Sequence, residues 1–313
     1  MKILIYGTGA VGSAFGGFLS RDHEVTLLGR GKHLAAIRRQ GLRVSGIWGR
    51  HIFRKFRLVS DESRLRRKPE PYDLILVTVK SYDTARAARG IQKLLSPRTL
   101  VVSLQNGLGN VEALRRMIPA NRILAGRVIF GVEHHAPGKI KITVMASPTA
   151  VGEITQHQIS VRARLLARVF DRAGIPSVAC PDVQSLLWAK VIYNAALNPL
   201  ASLMDCHYGY LGDNPATRLI MDEVIDEIYR VAERADVRLV PDSPKGYRKI
   251  FYSQMVPRTY NHHPSMLQDL NHGKRTEIEA INGAIVRIAK KVKLAVPVNA
   301  ELVRLIRKKE RLC

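Results

Sequence analysis

Cysteine is scarce in this chain of 313 residues: Cys180, Cys206 and Cys313 are all there is. An odd number at wide spacing gives neither a disulfide framework nor a metal-ligand pattern. The three read as free thiols, which points to a reducing, cytoplasmic setting, and no metal is expected. Long hydrophobic runs are missing as well. No stretch approaches the roughly 20 apolar residues of a membrane span. Met1-Lys2 leads straight into strand-like Ile3-Leu4-Ile5-Tyr6, without the pattern of a signal peptide. Carboxylates are few, with 26 Asp+Glu against 50 Lys+Arg and a formal charge of +24. Residues 1–150 hold 26 basic and 9 acidic residues, so +17 of that charge lies there and +7 in the rest. Such a field attracts phosphorylated or carboxylated small molecules and nucleic acid, although a solvated arginine-rich surface is the plainer account. Aromatics are sparse at 6%, and the basic runs Arg64–Lys68 and Arg304–Arg311 lie far apart. A nucleic-acid binder calls for clustered cations with interleaved aromatics, so that reading stands only as a remote alternative.

What is present is a chain of about two domains by length, without internal repeats or low-complexity tracts. Residues 2–6 form an apolar strand, and Val11, Ala14, Phe15, Phe18 and Leu19 follow at helical spacing. Glu24–Leu28 is the next strand, closing a parallel crossover in about 30 residues. Leu42–Ser45 and His51–Val59 read as a hairpin around Gly46 and Gly49. Leu74–Val79, Leu100–Leu104 and Ile123–Ile129 are continuous apolar runs of the kind buried on both faces. Alternating strands and helices predict an α/β fold with a doubly wound parallel sheet. Near Gly174-Ile175-Pro176 the pattern changes. Helices are expected at roughly 182–203, 214–236, 245–256, 265–291 and 297–309, with Pro181, Pro241, Pro244 and Pro264 near their starts. The expected domains are therefore residues 1–175, a dinucleotide-binding Rossmann domain, and residues 176–313, an all-helical one.

The turn Gly7-Thr8-Gly9-Ala10-Val11-Gly12 follows a strand and opens a helix, the context a dinucleotide fingerprint needs. Gly7 permits the tight turn, Gly9 lets backbone approach a pyrophosphate, and Gly12 allows close helix–strand packing. An NAD site usually ends its second strand in a carboxylate; here Gly29-Arg30-Gly31-Lys32 stands instead. A guanidinium pairs with a 2′-phosphate, so Arg30 favours NADPH over NADH. The plainer account, that Arg30 is one more surface cation, is the less favoured one. Two loops follow strands at the same sheet edge, Val79-Lys80-Ser81 and Leu104-Gln105-Asn106-Gly107-Leu108-Gly109. Each is a candidate contact or a plain turn.

In Trp188–Pro199, the residues Lys190, Asn194 and Asn198 recur every fourth position, one stripe drifting about 40° per step. Leu186, Leu187, Val191, Ile192, Leu197 and Leu200 surround it, so a cation and two amides sit on a mostly apolar helix and require partners. Ser265 and Gln268 match a helix capping box. Glu277 and Glu279 follow in Thr276–Glu279, and position alone does not tell a functional carboxylate from a surface one.

Taken together, GTGAVG, Val79-Lys80, Asn106-Gly107, WAKxxxNxxxNP, SMLQD and TEIEAING resemble the ketopantoate reductase (2-dehydropantoate 2-reductase) family. They occur in family order from residue 3 to about 305. The resemblance implies NADPH-dependent reduction of 2-dehydropantoate to pantoate, a step toward pantothenate and coenzyme A. It also implies a helical domain like that of 6-phosphogluconate dehydrogenase, with the site in the cleft between the domains. Carried over, Lys190 is the proton donor and Glu277 the carboxylate near the nicotinamide. Asn194, Asn198 and Ser265 are substrate contacts, and Asn106 lies where cofactor and substrate meet. Lys80 touches the cofactor, and Val132 makes a backbone contact with it. Beyond Pro199 the family often has an Asn-Gly or similar small pair where this chain has Tyr208-Gly209, which puts any substrate contact there in doubt. The partners expected are small molecules, with neither membrane nor nucleic acid, and a homodimer is left open. A reductase of another small 2-oxo acid on the same scaffold is the alternative.

Overall fold

The computed structural model describes residues 1–67, 71–154 and 158–312; Lys68 and Cys313, named above, lie outside them. The chain divides into two compact units, Met1–Gln105 with Asn110–Val183, and Asn106–Gly109 with Gln184–Cys313.

The first unit runs β1 (Lys2–Tyr6), α1 (Ala10–Leu19), β2 (Glu24–Leu28), α2 (Gly31–Gln40), β3 (Leu42–Gly46), β4 (His51–Phe53), β5 (Arg57–Val59), α3 (Ser63–Arg67), β6 (Leu74–Val77), α4 (Thr84–Gln92), β7 (Leu100–Ser103), α5 (Asn110–Arg115), β8 (Ile123–Arg127), β9 (Phe130–Ala136), β10 (Lys139–Met145), β11 (Thr149–Gly152), α6 (Val161–Arg172) and β12 (Ser177–Ala179). The large sheet has the order β12-β11-β8-β7-β6-β1-β2-β5. Its strands from β8 to β5 are parallel, while β11 runs antiparallel to β8 and carries β12 beside it. Strand order reverses between β1 and β6, so the loops after these two strands border the crevice where doubly wound sheets bind ligands. Ile3, Leu4, Ile5 and Leu74 to Val77 are wholly buried, as strands covered by helices on both faces must be.

Two expectations change here. Residues 51–59 are not one arm of a hairpin. Only β4 pairs with β3, and β5 crosses to the large sheet, where its buried Val59 lies opposite Leu28. A second hairpin, β9–β10 around Pro137-Gly138, joins β3 in a four-stranded sheet of order β4-β3-β10-β9. The Pro-Gly pair, with Gly138 at φ +74°, was its sequence signal. Strand β12, past residue 175, stays with the first unit, which therefore runs to Val183.

The second unit is helical: α7 (Val183–Met204), α8 (Tyr208–Asp213), α9 (Pro215–Arg234), α10 (Pro244–Ile250), a π-turn at Phe251–Met255, α11 (Val256–Arg258), α12 (Ser265–Asn271), α13 (Asn282–Lys291) and α14 (Pro297–Glu310). The single helix expected over 265–291 is broken. Gly273, at φ +60°, ends the first piece. The Glu310 side chain then takes the Thr276 N–H at 2.7 Å and the Thr276 hydroxyl at 2.6 Å, holding the segment out of helical form.

Candidate active site

The three glycines of the first turn answer to different needs. Gly7 has φ +116°, and a Cβ there would lie 2.7 Å from the Val79 amide nitrogen. A Cβ on Gly12 would overlap the Gly7 carbonyl and reach within 2.5 Å of Thr78 Oγ1. Thr78 itself donates to that carbonyl at 2.5 Å, clamping the turn. Gly9 is not required by the protein's own packing, since its Cβ would meet only Thr78 O at 3.9 Å. Its bareness keeps space open ahead of α1, which has no side-chain cap and no acidic residue in its first turn. The first-turn amides of Ala10, Val11 and Gly12 have no intrahelical acceptor. Beside them Thr8 Oγ1 is buried without a partner among the described residues. Open space, unspent donors and an orphan hydroxyl at a positive helix end fit a pyrophosphate.

Arg30, exposed at the N-cap of α2, lines a cleft of about 270 Å³ together with Tyr6, Gly29, Glu62 and Arg86. Glu62 accepts the Tyr6 hydroxyl at 2.6 Å, and Arg86 pairs with Asp83 at 2.9 Å. Burial, then the hydrogen bond to Glu62 and its charge, push the Tyr6 phenol far above its ordinary range. The sequence places no carboxylate at the end of β2; the turn after β5 delivers Glu62 to the same cleft. That residue escaped notice because nothing local marks it.

Lys80 is half-buried and opens the turn after β6. The loop is fixed by Gln105, whose amide donates to Val79 O at 2.9 Å and Thr84 Oγ1 at 2.7 Å. Val132 sits inside β9, opposite Ile142, and packs on the first unit's core.

In the second unit, the loop Asn106–Gly109 is docked on the segment after α12. Gly107, at φ +83°, leaves no room for a Cβ against Ala280, and Leu108 N–H donates to Ala280 O at 2.8 Å. The docked loop presents Asn106 to α7, where Lys190 Nζ donates to Asn106 Oδ1 at 2.6 Å. Lys190 and Asn194 are half-buried; Asn198 is buried and accepts the Tyr208 hydroxyl at 2.6 Å. Tyr208, the departure from the family pattern, is thus a partner of the stripe. Glu277 and Glu279 separate clearly. Glu277 is 7% exposed, whereas Glu279 makes ion pairs with Arg307 at 2.5 Å and Arg287 at 3.5 Å. Ser265 is exposed and forms no capping box, because Pro264 is the N-cap and no side chain caps it.

Residues 3–156 match the family ketopantoate reductase PanE/ApbA, and residues 182–310 match ketopantoate reductase PanE/ApbA C terminal. The 2-dehydropantoate 2-reductase of Aquifex aeolicus is 38% identical over 312 residues, spanning 99% of this chain and 97% of its own. The crystal structure of a PanE/ApbA family ketopantoate reductase from Ralstonia eutropha superposes with a TM-score of 0.87 at 32% identity, covering 100% and 99% of the two chains. A D-mandelate dehydrogenase, solved with NADH and anilino(oxo)acetate, superposes with a TM-score of 0.88 at 26% identity over 100% and 99%.

Proposed function

The chain belongs to the ketopantoate reductase family, and we propose that it reduces 2-dehydropantoate to pantoate with NADPH. The observation that carries this reading is the 2.6 Å bond from Lys190 Nζ to Asn106 Oδ1, made on the helical stripe that also bears Asn194 and Asn198. Gly7 to Gly12 would hold the pyrophosphate, Arg30 the 2′-phosphate, and Lys80 a further part of the cofactor. Bound NADPH supplies the hydride for the 2-oxo carbon. As that carbon becomes tetrahedral, negative charge gathers on its oxygen. The Lys190 ammonium stabilises this charge and passes a proton to the oxygen. Asn106 holds the ammonium in one direction, which limits the ways it can miss. Asn194, Asn198 and Ser265 offer uncharged polar contacts to the substrate's hydroxyl and carboxylate, and Glu277 is the buried carboxylate of the set. No helix among the described residues is long and apolar enough to cross a membrane, and the reading needs no partner beyond small molecules. It places the enzyme in the cytoplasm.

Oxidation of NADPH should be fastest with ketopantoate when pyruvate, 2-oxoisovalerate and oxaloacetate are run beside it. Equal rates with all four would replace this reading with a broader one. That second reading, an NADH-tolerant reductase of other 2-oxo acids, is favoured by one observation: Glu62 brings a carboxylate into the Arg30 cleft, where it can accept a ribose 2′-hydroxyl.

A further inference from the structure

Helix α7 contains Pro199. In an α-helix the N–H of residue i+4 meets the carbonyl of residue i, and proline has no N–H. The Ala195 carbonyl therefore lacks its intrahelical donor, at a residue with no solvent exposure. Asn282, the first residue of α13, supplies the missing hydrogen: its Nδ2 lies 3.1 Å from Ala195 O. The second hydrogen of that nitrogen goes to Asn299 Oδ1 at 3.0 Å. Asn299 in turn gives its own Nδ2 to Glu227 Oε2 at 2.8 Å. Glu227 also takes the N–H groups of Val298 and Asn299, both at 2.9 Å, in the first turn of α14. The direction of the chain is set by carboxylate and carbonyl oxygens at its two ends, so each amide has one workable orientation. Asn282, Asn299 and Glu227 are at most 1% exposed.

We propose that Asn282 is a positioning residue for the substrate contacts, acting through Ala195. Ala195 O opens the turn 195–199, which Asn194 precedes and which carries Asn198. One turn later Lys309 Nζ donates to Ser202 O at 2.7 Å and Leu203 O at 3.3 Å, so the interrupted stretch of α7 is held from α13 and α14 on both sides of the proline. Stability alone would be served better by alanine at 199 and an apolar residue at 282. The present arrangement leaves Asn282 Oδ1 buried without a partner among the described residues, a cost that makes sense if the hydrogen bond lost at Pro199, and its replacement by Asn282, set where Asn194 and Asn198 point. The proposal rests on the assignment of those two asparagines to the substrate site.

The test compares Asn282→Ala with the double variant Pro199→Ala/Asn282→Ala, in which residue 199 regains an N–H for Ala195 O. Asn282→Ala should lower Tm by about 5 °C and raise KM for ketopantoate about tenfold, with the NADPH Kd, read by fluorescence titration, within about twofold. The double variant should recover Tm but keep the raised KM, because the proline interruption and its Asn282 support are both gone. An unchanged KM in Asn282→Ala, or a KM that recovers together with Tm in the double variant, overturns the positioning role. Should Asn282→Ala not fold, the double variant decides alone: a raised KM supports the role and a wild-type KM overturns it. Asn194→Ala and Asn198→Ala separate the two levels. If they raise KM while Asn282→Ala does not, only the present proposal falls; if they leave KM untouched, the site assignment falls and takes the proposal with it.

Discussion

His33 offers a pH dependence whose size follows from its surroundings. Its Nδ1 accepts the Gly138 N–H at 3.0 Å, so the ring hydrogen sits on Nε2 and faces Ser13 Oγ at 2.9 Å. The neutral ring thereby ties α2 to α1 and to the β9–β10 turn. Burial first, and then the charge of His134, whose ring stands edge-on at 4.5 Å, lower its pKa from 6.5 to about 4. Protonation favours the unfolded chain, where the ordinary value holds. The contribution of the neutral ring is thus complete above pH about 6.5 and is lost as pH falls to about 4. The fall from 6.5 to about 4 corresponds to roughly 3 kcal/mol, or about 2 kcal/mol after allowance for the ring's partial exposure. The assay is urea unfolding followed by Trp48 fluorescence in a Trp188→Phe background, since these are the two tryptophans. His33→Gln should be less stable than the parent at pH 7, and the gap should narrow by about 2 kcal/mol by pH 4. Parallel stability–pH curves for parent and variant would refute the reasoning.

Lys190→Ala should lower kcat about 100-fold or more while NADPH still binds; a kcat within a few-fold of the parent would remove Lys190 from its role. Arg30→Ala should raise the KM for NADPH much more than that for NADH, and Glu62→Gln should shift the ratio of the two the other way. Equal effects on both cofactors would dissociate these side chains from the choice between them. Gly12→Ala should abolish nucleotide binding in a titration, because its Cβ would overlap the Gly7 carbonyl, whereas Gly9→Ala should fold normally and lose affinity alone.

Local chemistry was legible in the sequence. The glycine turn, the apolar parallel strands and the Lys190–Asn194–Asn198 stripe each follow from spacing within a few turns of chain, and each is placed as read. Long-range pairing was not. The fate of Arg57–Val59 depended on whether β2 or β3 offered it an edge, and nothing within those residues decides that. Glu62 reaches the Arg30 cleft only because β5 runs beside β2. The break in 265–291 required a carboxylate at residue 310 to claim Thr276. Strand β9, which carries Val132, was missed for the same reason: its partner is β10, and a reading that ended the strand at Ile129 did not carry the Pro137-Gly138 turn into a hairpin. The basic run at 304–311 likewise changes meaning with its partners in view. Arg304 pairs with Glu301 and Arg307 with Glu279 at the surface, and Lys309 caps α7, so three of its five cations are engaged within the protein.

The family motifs become intelligible once these partners are known. Asn106-Gly107 and the segment Thr276 to Ala280 are far apart in sequence, yet one contact explains both. Gly107 must be glycine because its φ is positive and because Ala280 fills the place of a Cβ. Ala280 must stay small for the same reason, and its carbonyl must face the loop to take the Leu108 N–H. That docking turns Asn106 toward Lys190. A larger residue at 280 should therefore damage the reaction without touching any reacting atom: it would lift the 106–109 loop, and Lys190 would lose the acceptor that aims it. The order of the motifs along the chain records which segments have to meet, and the chemistry of each is decided by the segment it meets.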